Sequence, residues 1–408
     1  MQKLIIKNLG PIKNCEMEVR PFTIFIGESG SGKSILLRTI SMLKWVYKKM
    51  HQNNLFREMG IKYDDDLKLS EISKESMLDD YIDDNTYVEF LSENKTLIII
   101  KNRKLQLNYN NISVSEFLLS KILFLNENRT AIPEILSSFL GRGVNFSYYT
   151  MEIIKEFRKV FKIIGKDFEI HSIKNIKLNS KKMVGYEQIL LNRNDDVEIK
   201  FENTSSGEKS VSIIELLTYY FSEEYSFIKN TSDEIRILLG IRFNKDIFSK
   251  FSSNKNNGQM SLYDDNSEEY SFKKSLTLLI EEPESNLFPT NQRDLTYFLS
   301  SLRKMKNNPE VIFSTHSPYI LTVVNNLLYA DELASKNSNL KEKVNAVIPE
   351  KYQLSIDDLS AYVVKNGRVE SLIDRKINLI NAEYMDVVSD DIIEIFNRLH
   401  GMSLKCKD

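Results

Sequence analysis

A chain of 408 residues, 42% hydrophobic and 27% charged, is long enough to bury a large core, and its length suggests two or three domains or one domain with a sizeable insertion. A formal net charge of -2 excludes a wholesale polyanion binder, so any nucleic-acid contact is expected to be regional. The only cysteines, Cys15 and Cys406, stand at opposite ends without metal-type spacing, which argues against a disulfide framework or a zinc site and points to a reducing cytoplasm.

Residues 2 to 26 alternate apolar and polar positions in two short runs, "KLIIKNL" and "CEMEVRPFTIFI", which read as strands. "MQKLIIKNLG" is too short and too polar for a signal peptide, and with no apolar run of about 18 residues a soluble, unexported protein is expected. The glycine-rich "GESGSGKS" follows, and from Ser34 to about Met50 the pattern turns helical. The acidic stretch 63–84 reads as an exposed helix and loop, a solvated face. "TYVEFLSENKTLIIIKNRKLQLNYNN" alternates like three strands of an antiparallel meander. Residues 115 to 164 read as mostly helical, and no sustained heptads predict a long coiled-coil arm.

Short apolar alternations return from Phe168 to Glu202. The polar stretch Asn244 to Tyr270 has few large apolar residues and reads as a surface insertion. "SLTLLIEEPE" and "EVIFSTHSP", separated by the helix-like "TNQRDLTYFLSSLRKM", look like buried parallel strands. Asn366-Gly367 in "AYVVKNGRVESL" is a type I′ hairpin signal, and a last helix is expected from about Asp374. No internal repeat is present.

A strand, a glycine loop and a helix in that order is the setting that the pattern G-x-x-x-x-G-K-[ST] requires. Gly27, Glu28, Ser29, Gly30, Ser31, Gly32, Lys33, Ser34 and Ile35 are the candidate nucleotide contacts. Glycines let backbone amides approach phosphate oxygens, Lys33 reaches the β- and γ-phosphates, and the Ser34 hydroxyl is placed to ligate Mg²⁺. Glu281 and Glu282 end an apolar strand, where carboxylates project at the carboxyl edge of an open sheet. Glu281 is the metal-shell candidate, and Glu282 the group that orients or deprotonates water. His316 ends a second such strand and is placed to sense a γ-phosphate. His51, His171 and His400 read as structural. Ser206 and Gly207 open a helix whose amides suit phosphate, although Ser205 or Ser206 as a plain N-cap, with Glu208 in the first turn, explains the same residues.

In order, the motifs resemble the nucleotide-binding heads of ATP-binding-cassette ATPases, and more closely the branch of chromosome-maintenance (SMC), RecF-type and overcoming-lysogenization-defect (OLD) proteins. The matching parts are the lead-in "IKNLGPIKN", Walker A "GESGSGKS", signature "SSGEKS", Walker B "LLIEEPE", D-loop-like "ESNLFP" and switch "STHSP". The resemblance covers roughly residues 1–50 and 200–375. It implies an α/β P-loop NTPase with a mostly parallel sheet, an antiparallel β portion and an inserted α+β arm. The head would be composed of 1–50 and 204–385, the arm of 51–203, with a surface insertion at 244–270 and a C-terminal helix at 374–408.

It further implies ATP and Mg²⁺ as cofactors and a homodimer sandwiching two ATP molecules. Lys33, Ser34, Glu281, Glu282 and His316 would then act in cis, and Ser206, Gly207 and Glu208 in trans. Arg129, in "LFLNENRTAIP", stands where related proteins carry a strand followed by an arginine, a candidate for nucleotide sensing. This sequence departs from the family at Ser29, where many heads have Asn, at Glu281, where Asp is commoner, and in a signature reading Ser-Gly-Glu-Lys. No Q-loop glutamine is placed.

Three functions compete. An OLD-like regulatory ATPase of a prokaryotic defence or DNA-maintenance system would gate a separate effector, a nuclease or toxin, since little more than 30 residues follow the terminal hairpin and leave no room for a Toprim nuclease. A RecF-like clamp would grip DNA through Lys155, Arg158, Lys159, Lys162 and Lys166, whose spacing reads as spread around a helix. A transporter motor is disfavoured by the 150-residue arm.

Overall fold

The computed structural model describes residues 2–58, 67–112, 116–137, 146–183, 186–194, 197–227, 229–230, 261–263, 269–381 and 394–395. The chain begins with β1 (Gln2–Leu9), β2 (Ile12–Val19) and β3 (Phe22–Ile26), then α1 (Lys33–Glu58) and the short α2 (Leu69–Glu75). The expected second strand is thus two, broken at Arg20-Pro21 because proline offers no ladder donor. The meander β4 (Tyr87–Ser92), β5 (Lys95–Lys101) and β6 (Lys104–Leu107) leads to β7 (Glu116–Leu125), α3 (Ile132–Ser137) and α4 (Tyr148–Ile164). Next come β8 (Phe168–Glu169), β9 (Ile176–Met183), β10 (Tyr186–Arg193), β11 (Val197–Lys200) and α5 (Ser206–Tyr219). The last part holds β12 (Ser261–Tyr263), β13 (Glu269–Glu281), α6 (Pro289–Ser301), β14 (Glu310–Thr315), α7 (Pro318–Lys336), α8 (Lys341–Val347), β15 (Leu359–Lys365), β16 (Arg368–Ser371), β17 (Ile373–Asp374) and β18 (Leu379–Ile380).

A 12-stranded mixed sheet organises these elements, in the order β12-β13-β14-β3-β15-β16-β2-β1-β4-β5-β6, with β7 also paired to β13. Its heart, β7-β13-β14-β3-β15, is parallel, and the portion running through β1, β2 and the meander is antiparallel. The central strands are buried on both faces, which explains their unbroken apolar runs. Phe22, Ile24 and Ile26 of β3, with Leu278 and Ile280 of β13, pack into one core with α5, α6 and α7. Phe25, Leu279 and Ile312 face the other way, into a second core filled by Leu36, Ile40, Leu43 and Val46 of α1. A smaller sheet, β11-β10-β9-β8, accounts for the alternation of 168–202.

Several expectations are corrected. Residues 116–125 form β7, parallel to β13, where helix was expected; Leu119, Leu123 and Leu125 are buried in one core and Phe124 in the other, and a short apolar run of that kind does not reveal its period. The stretch 51–203 is consequently not all arm, because β4, β5 and β6 extend the main sheet beyond β1 and β7 lies within it. Ile373–Asp374 pairs with Leu379–Ile380 as a hairpin where the last helix was expected to begin. Most of 382–408 lies outside the described residues, as does most of 244–270, of which Ser261–Tyr263 is strand β12. The hairpin at Asn366-Gly367 is present, with φ of 53° and 76°. No helix among the described residues is long and apolar enough to cross a membrane.

Candidate nucleotide site

The loop between β3 and α1 begins at Gly27, whose φ is 155°. A Cβ there would lie 2.3 Å from the Val364 carbonyl of β15, so only glycine lets the chain leave the sheet at this point. Lys33 opens α1 and folds back over the loop, its Nζ donating to the carbonyls of Gly27 and Glu28, both at 2.9 Å. Burial lowers the Lys33 pKa, and the charges of Glu282 and Glu284 oppose that shift. The buried Ser31 hydroxyl has no hydrogen-bond partner. Ile35 buries its side chain in the core, which leaves its backbone amide among the free donors of the helix N-terminus. Glu28, Ser29 and Gly30 form the exposed crest of the loop, and Gly32 closes it.

Parallel pairing aligns Glu281 of β13 with Ser314 of β14, and Thr315 of β14 with Ile26 of β3. The glycine loop, the Glu281-Glu282 pair and His316 therefore emerge at one carboxyl edge of the sheet, where open α/β sheets bind ligands. Glu281 is 2% exposed. Burial raises its pKa, while Arg38 and the Ser34 hydroxyl pull it back. Its Oε1 has no hydrogen-bond partner and stands 3.7 Å from Arg38 Nε. Glu282 adopts φ of 42°, uncommon for a residue with a side chain. Its carboxylate lies 3.1 Å from His316 Nε2 and accepts from Ser285 Oγ at 3.1 Å.

Glu284, which sequence reasoning passed over, is buried beneath this edge. It accepts from Thr315 Oγ1 at 2.7 Å and from the His316 amide at 2.6 Å, so it holds the end of β14 from which His316 projects. Burial raises its pKa. The signal was the third acid of "EEPE", two residues past Glu282.

The N-terminus of α5 is capped by Ser205, whose Oγ accepts from the Glu208 amide, while the Glu208 carboxylate accepts from the Ser205 amide and hydroxyl. Arg193 engages the other Glu208 oxygen. Burial alone would raise the Glu208 pKa, but the Ser205 bonds and Arg193 outweigh it and hold the group below its ordinary value. Glu208 is thus committed to the capping box. Ser206 and Gly207 remain at the helix start, beside the 286–288 loop: a Cβ on Gly207 would meet the Asn286 carbonyl at 2.5 Å.

Arg129 is fully buried and bonded to protein carbonyls and the Ser210 hydroxyl, which corrects its expected role as a nucleotide sensor. The basic residues of α4 are corrected too. Lys155, Arg158, Lys159 and Lys162 are all exposed, opposite the buried Ile153, Phe157 and Val160, and exposed Lys166 follows just past the helix end. Spacings of three and four place such residues on one face. Of the other histidines, His51 is buried, His171 bonds Glu215, and His400 lies outside the described residues.

No group of three or more His, Cys, Asp or Glu arranged for a metal occurs among the described residues. A phosphate-loop Mg²⁺ does not need one, since it takes one hydroxyl, one carboxylate, phosphate oxygens and water. The Ser34 hydroxyl and the neighbouring buried Glu281 carboxylate, whose Oε1 has no hydrogen-bond partner, fit that donor set.

No protein-family model and no curated protein matches the chain. Among solved structures it is similar to an SMC head bound to the C-terminal winged-helix domain of ScpA, at 11% identity, covering 92% of this chain and 98% of that one with a TM-score of 0.36. The SMC head domain from Thermotoga maritima aligns at 13% identity over 90% and 97% with a TM-score of 0.35. An ATP-binding cassette of an ABC transporter in its ADP conformation aligns at 12% over 97% and 98% with a TM-score of 0.31. These are distant likenesses, and the roles of the residues rest on the geometry of the site.

Proposed function

We propose that the chain is a cytoplasmic ATPase of the ATP-binding-cassette type that closes as a homodimer on ATP and gates a separate effector, a nuclease or toxin, in a prokaryotic anti-phage defence or DNA-maintenance system. One observation carries the ATPase reading: a glycine loop with its lysine, a buried glutamate beside the loop serine, and a strained glutamate paired with a histidine all meet at one sheet edge. The loop amides and Lys33 bind the phosphates. Ser34 and Glu281 would hold Mg²⁺, which when bound neutralises charge on the β- and γ-phosphates. Glu282 orients and deprotonates the attacking water, and His316 fixes the Glu282 carboxylate. Ser206 and Gly207 reach the partner's γ-phosphate.

The gating half of the reading is supported by the OLD-like form of the motifs, "EEPE" and "STHSP". Mass spectrometry of everything that co-purifies from the native host with ATP-bound Glu282→Gln tests it. One stoichiometric protein supports a gatekeeper, and none sinks it.

The clamp reading gains from the exposed basic face of α4. It requires DNA affinity that falls steeply as salt rises and that Lys155→Glu/Lys159→Glu weakens. Salt-insensitive or absent DNA binding would leave that face as a solvated helix surface.

A further inference from the structure

Arg129 stands where three segments meet. Its Nη1 donates to the Asn126 carbonyl at the end of β7, at 2.9 Å, and to the Glu281 carbonyl, at 2.7 Å. Its Nη2 donates to the Glu282 carbonyl at 2.6 Å, and its Nε to Ser210 Oγ in the second turn of α5 at 2.8 Å. Burial lowers its pKa to about 10, against the opposing pull of Glu284, Glu281 and Glu282. A guanidinium is the one side chain whose planar fork of five donors serves diverging acceptors while remaining charged.

The acceptors are what make the arrangement informative. The peptide groups flanking Glu282 are pinned on both sides, the carbonyl by Arg129 and the amide by the Ser314 carbonyl at 3.0 Å. A residue at φ of 42° persists only where its surroundings over-determine it. The same guanidinium grips α5 one turn behind Ser206, and Glu284, whose charge stands first among those acting on Arg129, holds the Thr315 hydroxyl and the His316 amide. A continuous hydrogen-bonded path therefore runs from the start of α5 through Arg129 to both peptide neighbours of the water-activating glutamate.

We propose that Arg129 is a positioning residue that couples the N-terminal end of α5 to the backbone of Glu282, so that engagement of Ser206 and Gly207 by a second copy sets the Glu282 carboxylate for turnover. The proposal rests on the ATPase reading above. It makes Arg129 dispensable for binding ATP, which falls to the loop, and essential for hydrolysing it.

Arg129→Lys keeps the buried charge but loses the fork, and Ser210→Ala removes only the α5 end of the path. The expected result is a fall in kcat of about tenfold for Ser210→Ala, one charge-assisted hydrogen bond's share, and of about a hundredfold for Arg129→Lys, with the Kd for ATP within about twofold of wild type in each. The double variant should be no slower than Arg129→Lys alone, because both act through one path. Wild-type kcat in either variant overturns the proposal. So does additivity in the double variant, or a loss of ATP affinity in step with turnover, since a merely structural arginine would weaken both together. Should Arg129→Lys fail to fold, Ser210→Ala decides alone. A wild-type protein that neither binds nor hydrolyses ATP would instead sink the ATPase reading, before any variant is compared.

Discussion

Nε2 of His316 lies 3.1 Å from Oε1 of Glu282, joining the carboxyl ends of β14 and β13 across the candidate site. This contact separates the two glutamates by role: Glu281 is buried next to Ser34, whereas Glu282 is about one-third exposed and faces a histidine. Glu282→Gln is therefore expected to bind ATP with unchanged affinity, to remain dimeric, and to release phosphate about 10²- to 10⁴-fold more slowly, the usual share of a general base. Hydrolysis at the wild-type rate would refute the assignment. His316→Ala should cost less than Glu282→Gln, because Ser285 still holds the other carboxylate oxygen.

Lys33 is satisfied here by two loop carbonyls, an arrangement that phosphate oxygens would compete for. Lys33→Ala should remove ATP binding in titration calorimetry while the protein stays folded with a lowered melting temperature, because the Glu28 carbonyl can turn to water at the exposed crest but the buried Gly27 carbonyl loses its donor. Retained affinity for ATP would mean that the nucleotide sits elsewhere.

At the α5 N-terminus, Ser206→Arg should leave ATP binding to the monomer intact and block the ATP-dependent dimer, read as mass by light scattering. A normal dimer would overturn the in-trans role. Gly207→Ala tests the same corner differently: its Cβ would sit 2.5 Å from the Asn286 carbonyl, so the 286–288 loop must shift. Reduced turnover with a dimer still forming is the expected signature.

The phosphate loop and the two strand-end clusters were legible in the sequence because each couples an unmistakable local pattern to a short apolar run. β7 was not, since Leu118, Leu119 and Leu123 fit a helix face as well as a strand buried on both sides. Arg129 was noticed for its position after an apolar run, but its partners come from β13 and α5, 152 and 81 residues away in the chain for Glu281 and Ser210, and no local pattern records such contacts. Glu208 shows the opposite case: an N-cap at Ser205 or Ser206 with Glu208 in the first turn was readable from the residues, and Ser205 does cap the helix, in a capping box with Glu208.

Away from the site, buried Lys44 of α1 pairs with Glu310 of β14, which also accepts from Thr277 at 2.7 Å. Burial alone would raise the Glu310 pKa, but Lys44 and Thr277 outweigh it and hold the group below its ordinary value. A depressed carboxyl contributes stability that is present above the unfolded value of 4.5 and is lost as pH falls through the lower folded value. Lys44→Met should cost about 2 to 3 kcal/mol at pH 7, less than for a fully buried pair because Glu310 keeps 24% side-chain exposure. The deficit should narrow in urea melts as pH falls toward and below 4.5, and an equal deficit at both ends of that range would place the loss in packing alone.

His171 gives the opposite sign. Its Nδ1 lies 3.2 Å from the fully buried Glu215 carboxylate of α5, which also accepts from the His171 amide at 2.6 Å and the Ser172 amide at 2.9 Å. The Glu215 hydrogen bond raises the His171 pKa above 6.5, against partial desolvation and the charge of Lys351. A raised histidine contributes stability that is fully present below pH 6.5 and is lost as pH rises through the folded value. The expected observation is an NMR titration midpoint above 6.5 that drops in Glu215→Gln, where the acceptor loses its charge. A midpoint unmoved by Glu215→Gln would show that the imidazole titrates without the carboxylate, and the tie between α5 and the β8 loop would then rest on the two backbone amides and the Ser172 hydroxyl.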